Sequence, residues 1–133
     1  HALRVGTLLA ARLRALADRH LLVGDVRGLG LFLGVELVTD RDARTPATRE
    51  AAYVVERARD FGVLLGVDGP HRNVLKIKPP LPFDESDAER LVAVLDRVLG
   101  EDPVRKDDAA GPAGGPAASV RVRGRAAPTG SSR

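Results

Sequence analysis

Apolar residues recur along this chain at two different periods. Val5, Leu8, Leu9, Leu13 and Leu16 fall three and four apart, with Arg4, Arg12, Arg14 and Arg19 elsewhere. That spacing predicts an amphipathic helix over residues 3–19. Residues 20–25 lead into a short strand around Val26. Residues 31–38 (Leu-Phe-Leu-Gly-Val-Glu-Leu-Val) are a continuous apolar run, the pattern of a strand buried on both faces. After a polar connection over 39–44, Thr45 is placed to cap a helix whose first position is Pro46, where the missing N–H costs nothing. That helix buries Ala51, Val54, Val55 and Ala58 and stops near Gly62. Residues 63–67 form another short apolar strand, 68–73 carry turn chemistry, and 74–78 form a strand ended by Pro79 and Pro80. Ser86 with Glu89 three residues on makes a capping box for a last helix that buries Ala88, Leu91, Val92, Leu95, Val98 and Leu99. The order helix, strand, strand, helix, strand, strand, helix predicts an α+β fold, with helices on one side of a small, largely antiparallel sheet.

Composition sets the limits of that domain. The chain has 133 residues, enough for one modest domain, and residues 1–100 hold the periodic segments. From 101 to 133 the chain turns to Ala, Gly, Pro and Arg, a segment that buries too little apolar surface to offset its ordering entropy. It is expected to be a disordered tail, and the basic run over 120–125 a solvated one. Aromatics make up only 3%, so the core rests on Leu, Val and Ala. Zero Cys excludes disulfides, thiol nucleophiles, zinc–thiolate sites and iron–sulfur clusters. No apolar run approaches the ~20 residues of a membrane span, and no signal-peptide core opens the chain. The expected location is the cytoplasm. The chain opens on His1 and holds no Met, as expected of a processed chain or a piece of a longer one. The pI near 9.9 is a weak nucleic-acid signal. Residues 1–100 carry 15 Lys and Arg against 14 Asp and Glu, so the body of the chain is close to balance.

The candidate chemistry is sparse. Gly28, Gly30 and Gly34 follow G-x-G-x-x-x-G, one residue off the dinucleotide fingerprint, and they precede a strand where that fingerprint opens a helix. Here they serve a tight turn and close backbone approach. His1, His20 and His71 are isolated, without metal-ligand spacing, and no Ser has a plausible His–Asp pair. Lysine is the informative scarcity: Lys76, Lys78 and Lys106 stand against 18 Arg. Lys76 and Lys78 lie two apart on one strand and therefore share a face. Two readings stay open, an anion-binding pair or ordinary charges on an exposed edge.

Two segments carry a resemblance. Residues 24–37 (Gly-Asp-Val-Arg-Gly-Leu-Gly-Leu-Phe-Leu-Gly-Val-Glu-Leu) and 73–81 (Asn-Val-Leu-Lys-Ile-Lys-Pro-Pro-Leu) closely resemble the C-terminal small domain of class III aminotransferases, pyridoxal-phosphate enzymes of fold type I. The resemblance covers roughly residues 1–100. Residues 44–53 and the Asp68-Gly69-Pro70 turn look more like a subgroup containing phospho-lyases that act on phosphoethanolamine and phosphohydroxylysine. The resemblance implies that the Schiff-base Lys, the Asp beside the pyridinium nitrogen and the phosphate cup belong to a large domain lying before His1. No catalytic or cofactor-binding residue is then expected in this chain, and catalysis is not expected of it alone. The resemblance also implies a homodimer as the intact enzyme.

One position carries over. Several family members that act on α-amino acids place an Arg where Lys76 stands, to hold the substrate carboxylate. A planar guanidinium matches a carboxylate with two hydrogen bonds, whereas an ammonium is a point charge. Lys76 is therefore the candidate substrate-binding residue, suited to a substrate without an α-carboxylate or to one offering phosphate. Arg27 is expected to orient the strand pair through backbone carbonyls.

The resemblance thus implies a pyridoxal-phosphate aminotransferase that takes an amine or amino acid and a keto acid. The alternative within the family is an amino-phospho-lyase releasing phosphate and ammonia from a phosphorylated amine. A reading of another class is a non-catalytic α+β module whose basic tail binds nucleic acid. The near-neutral body and the lack of interleaved aromatics argue against that module.

Overall fold

The computed structural model describes residues 1–79 and 82–104. Within them the elements run α1 (Ala2–Leu16), β1 (Val23–Leu29), β2 (Phe32–Asp40), β3 (Thr45–Pro46), α2 (Thr48–Asp60), β4 (Gly66–Asp68), β5 (Val74–Ile77) and α3 (Glu85–Leu99). The sheet order is β1-β2-β5-β4, and β3 pairs with the far end of β2. Every pairing is antiparallel. α1 lies on β1 and β2, α2 on β2, β4 and β5, and α3 closes over α1 and α2. The α+β layer with helices on one side of an antiparallel sheet is as the periodicities predict.

The core lies between that sheet face and the helices. Val26, Leu33, Val35, Leu37, Leu75 and Ile77 point into it from the strands, against Leu9 and Leu13 of α1, Val54 of α2 and Leu95 of α3. Burying a branched aliphatic side chain contributes about 1.5–3 kcal/mol, so a core poor in aromatics, with Phe83 buried in it, still closes when many such residues interlock. The apolar run over 31–38 is buried on both faces only at its end, at Leu37 and Val38. Leu33, Val35 and Leu37 are buried, but Phe32 is 57% exposed and Glu36 lies on the same outer side. Alternation decides the matter, because every second residue of a strand faces away from the helices.

Two helix starts differ from the sequence expectation. Thr45 and Pro46 form β3, because the chain is first pinned to β2 by Ala47 N–H donating to the Leu37 carbonyl at 3.0 Å. α2 then starts at Thr48 with no side-chain cap. α3 is capped by Asp84, not Ser86. The Asp84 carboxylate accepts from Asp87 N–H at 2.9 Å, and Asp87 returns the bond to Asp84 N–H at 3.0 Å. An ionised acceptor two positions upstream outcompetes a hydroxyl for the same orphan donors. The predicted strand over 63–67 shifts to Gly66–Asp68.

Glycine is required at the β1–β2 turn. Leu29 pairs with Phe32, leaving Gly30 and Leu31 as the connection, with Gly30 at φ 61°. A Cβ on Gly6 of α1 would sit 2.0 Å from the Gly30 carbonyl oxygen, so the helix seats directly on this hairpin. Packing also continues past residue 100. Val104 is fully buried, and the Glu101 carboxylate accepts from Arg57 Nε at 2.8 Å, Arg57 Nη2 at 2.7 Å and Tyr53 OH at 2.6 Å. Those bonds, from Arg57 first and then Tyr53, hold the Glu101 carboxyl down at about 2. The expected tail beyond Val104, the basic run over 120–125 and Lys106 lie outside the described residues.

Candidate functional site on the open sheet face

The sheet face turned away from the helices is ordered by strand register. Arg27 stands opposite Gly34, Gly34 opposite Lys76, and Lys76 opposite Gly66. Directly paired residues share a face, so this row is two long cations separated and flanked by bare glycine backbone. The neighbouring row reads Asp25, Glu36, Val74 and Asp68. Cations and carboxylates therefore lie in adjacent rows, and their ion pairs cross from one to the other. Arg27 Nη1 donates to Asp25 and to Glu36 at 3.0 Å each, and Arg44 Nη2 donates to Glu36 at 2.8 Å. Hydrogen bonding to Glu36 and then Asp25 holds the Arg27 guanidinium above its ordinary pKa. Lys76 Nζ stands 3.7 Å from Asp68 Oδ2.

Between these rows lies an open depression of about 290 Å³, lined by Arg27, Phe32, Gly34, Asp68, Val74 and Lys76 among others. Gly34 keeps it open, since a Cβ there would meet a Val74 methyl at 3.1 Å. The turn over 68–73 is pinned beside it by Asn73, a buried residue whose Nδ2 donates to the Leu37 carbonyl at 2.8 Å.

The two lysines share this face, as their spacing predicts, but they take different partners. Lys78 lies over the Phe32 ring at 4.9 Å, a cation–π contact at the edge of the depression. Arg27 works differently from the expectation: its partners are not backbone carbonyls but the Asp25 and Glu36 carboxylates of β1 and β2. His20 is not near the site. It is buried between α1 and α3 with Nε2 2.7 Å from Asp96 Oδ1. Among the described residues, no three His, Asp or Glu side chains gather to hold a metal ion.

The sequence of residues 1–99 matches the family model of Aminotransferase class-III. The chain belongs to the class III aminotransferase family. It is 45% identical over 100 residues to ethanolamine-phosphate phospho-lyase homolog 1 of Caenorhabditis elegans, which covers 74% of this chain and 21% of that protein. It is 46% identical over 96 residues to alanine–glyoxylate aminotransferase 2 homolog 2, mitochondrial, of Arabidopsis thaliana, covering 72% and 20%. Among solved structures, a phospholyase from Arthrobacter in complex with phosphoethanolamine superposes with a TM-score of 0.72 at 39% identity, over 77% of this chain and 24% of that one. The chain spans about a fifth of the length of the curated relatives it matches.

Within this class III segment, Lys76 and Lys78 stand in different surroundings. The Lys76 side chain is 49% exposed on an open face, and Lys78 lies against a ring. What the face offers is a solvent-open ammonium, Lys76, beside the depression. Asp68, Glu36 and Arg44 are charged members of this face that sequence reasoning passed over. Each sat in a segment read as a turn, an apolar strand or a polar connection; strand register places Asp68 and Glu36 in one row, and the Arg44 side chain reaches Glu36 from the β2–β3 connection.

Proposed function

We propose that this chain is the C-terminal small domain of a pyridoxal-phosphate-dependent class III aminotransferase, which moves an amino group from an amine or amino acid to a keto acid. The supporting observation is the family match over residues 1–99, in which Lys76 rises above a glycine floor beside the depression. The cofactor, when bound, supplies the electron sink for chemistry at the amine carbon. It is held by residues outside this chain. This segment contributes on the substrate side: Lys76 attracts the anionic end of the substrate and orients it. Gly34 and Gly66 leave room beside the ammonium, and the Asp25–Arg27–Glu36–Arg44 ladder stiffens the strand pair beneath. We place the intact enzyme in the cytoplasm as a homodimer.

A second reading, an amino-phospho-lyase acting on a phosphorylated amine, is favoured by one observation. The candidate position, Lys76, carries an ammonium, and the nearest guanidinium in its row, Arg27, is already engaged by two carboxylates. A point charge suits phosphate better than it suits planar, two-pronged recognition of a carboxylate.

The first test is the mass of the native polypeptide carrying this sequence. A chain several-fold heavier than 14.1 kDa supports the two-domain enzyme, whereas a native chain of that mass brings the non-catalytic module forward. The holoenzyme is then offered phosphoethanolamine with no keto acid. Phosphate release assigns the lyase, and a strict keto-acid requirement assigns transamination.

A further inference from the structure

One ion pair on the open face is looser than the others. Arg27 and Arg44 bind their carboxylates at 2.8–3.0 Å, but Lys76 Nζ and Asp68 Oδ2 are 3.7 Å apart, beyond hydrogen-bond reach. Both side chains are open to solvent, 49% and 64% exposed. Lys76 pairs with Gly66 and Asp68 with Val74, so the two charges meet diagonally across β4 and β5. Arg27 and Glu36 meet in the same way across β1 and β2, and there the pair closes to 3.0 Å. Lys76 and Asp68 also line the depression beside Gly34. An anion arriving there is drawn to Lys76 and repelled by Asp68, and the ammonium cannot serve both carboxylate and ligand at full strength.

The geometry points to Asp68 as a displaceable counter-ion of Lys76, a positioning residue that sets how strongly this site takes an anionic group. Recognition at Lys76 is then an exchange, in which the ligand's phosphate or carboxylate takes the place of the Asp68 carboxylate. This rests on the proposed reading that Lys76 meets the anionic end of the substrate. Loose, exposed pairs of this kind alter equilibria by a factor of about 1.5 to 5. Asp68 lies on a short edge strand and is largely exposed, so replacing it leaves the buried core untouched.

The test uses the holoenzyme with Asp68→Asn, Lys76→Gln and the double variant, with inorganic phosphate as competitive inhibitor. Asp68→Asn is expected to lower the Ki for phosphate about two- to five-fold. It is also expected to lower the KM for an amine bearing an anionic group relative to the KM for a neutral primary amine. In the Lys76→Gln background the gain from Asp68→Asn is expected to vanish. A phosphate Ki that is unchanged or raised by Asp68→Asn overturns the counter-ion role, as does a KM shift equal for anionic and neutral amines. If Lys76→Gln weakens phosphate but Asp68→Asn does not tighten it, the counter-ion inference alone fails. If Lys76→Gln leaves phosphate inhibition untouched, the reading of Lys76 beneath it fails too. Comparing phosphoethanolamine with an amino acid in the same variants tells whether phosphate or carboxylate is the group exchanged.

Discussion

The two faces of one sheet are built by different rules from the same strands. On the helix side, Leu33, Val35, Leu37, Leu75 and Ile77 are all at most 4% exposed, and each is held by many neighbours at once. On the open side the same strands carry Phe32, Gly34, Glu36 and Lys76, held pair by pair through ion pairs and one ring. Apolar burial is non-directional and tolerates many partners, so the closed face is redundant. Exposed ion pairs contribute at most about 1 kcal/mol each, so the open face adds little to folding. The difference separates redundant apolar burial from sparse polar pairing within a single β-strand, residue by alternate residue.

That separation breaks down first, if it does, at the closed face. Leu75 is fully buried on β5, between β2 and β4. Leu75→Ala is expected to cost about 2–5 kcal/mol in urea unfolding of the chain, because the cavity is walled by strands that do not collapse easily. A cost below ~1 kcal/mol would mean that this face is not the core. Gly6→Ala is the next largest effect. In a helix interior the change gains about 1 kcal/mol from propensity alone. Here the new methyl would lie 2.0 Å from the Gly30 carbonyl oxygen, and backbone cannot swing aside as a flexible side chain does. Overpacking of this kind costs about 1–3 kcal/mol, and a backbone clash belongs at the upper end. A net loss of ~2 kcal/mol is expected, and a stabilised Gly6→Ala would show that α1 does not seat on the hairpin.

Much of the architecture was legible because helix and strand periods differ. The residues facing inward from α1 and α3 are those spaced three and four apart, and the sheet order follows from short antiparallel connections. That Lys76 and Lys78 share the outer face was legible from their spacing of two. The rest of the open face was not, for a physical reason. An apolar run such as Leu31 to Val38 hides alternation, and Glu36 alone signals the outer side. The ladder of Asp25, Arg27, Glu36 and Arg44 depends on register, which is set by the Gly30 turn and the bulge between Val23 and Asp25. Composition carries no trace of it. Asp84 was missed as a cap because Ser86 and Glu89 fit the same spacing rule two residues later.

A pH experiment sharpens the comparison from inside the closed half. His20 is buried at the α1–α3 contact, its Nε2 bonded to Asp96, which also pairs with Arg19 at 3.2 Å. Its Nδ1 is buried without a partner. Burial, the largest cause, lowers the pKa of His20 below the ordinary 6.5, against the opposing pull of Asp96. The unfolded chain therefore takes up this proton before the folded one does. Stability from this site is full above about pH 6.5 and is lost as the pH falls below it. Melting temperature measured between pH 7 and 5 is expected to fall, and His20→Gln to flatten that slope. An unchanged slope in His20→Gln would assign the acid sensitivity to another group.

The smallest effect is the most telling, because it sets adjacent residues of one strand against each other. Leu33 is 4% exposed, and its neighbour Phe32 is 57% exposed with the Lys78 ammonium 4.9 Å above its ring. Phe→Ala in a core costs about 3–5 kcal/mol, but most of this ring is already in water. What Phe32→Ala removes is an exposed cation–π contact of about 0.5–1 kcal/mol and a little buried area. The expected loss is therefore under ~1 kcal/mol by urea unfolding, and Phe32→Leu, which keeps apolar bulk but no ring, should lose most of it. Leu33→Ala beside it should cost several times more. If Phe32→Ala matched Leu33→Ala, the open face would be a second core, and the depression beside Lys76 would owe its shape to folding and not to a ligand.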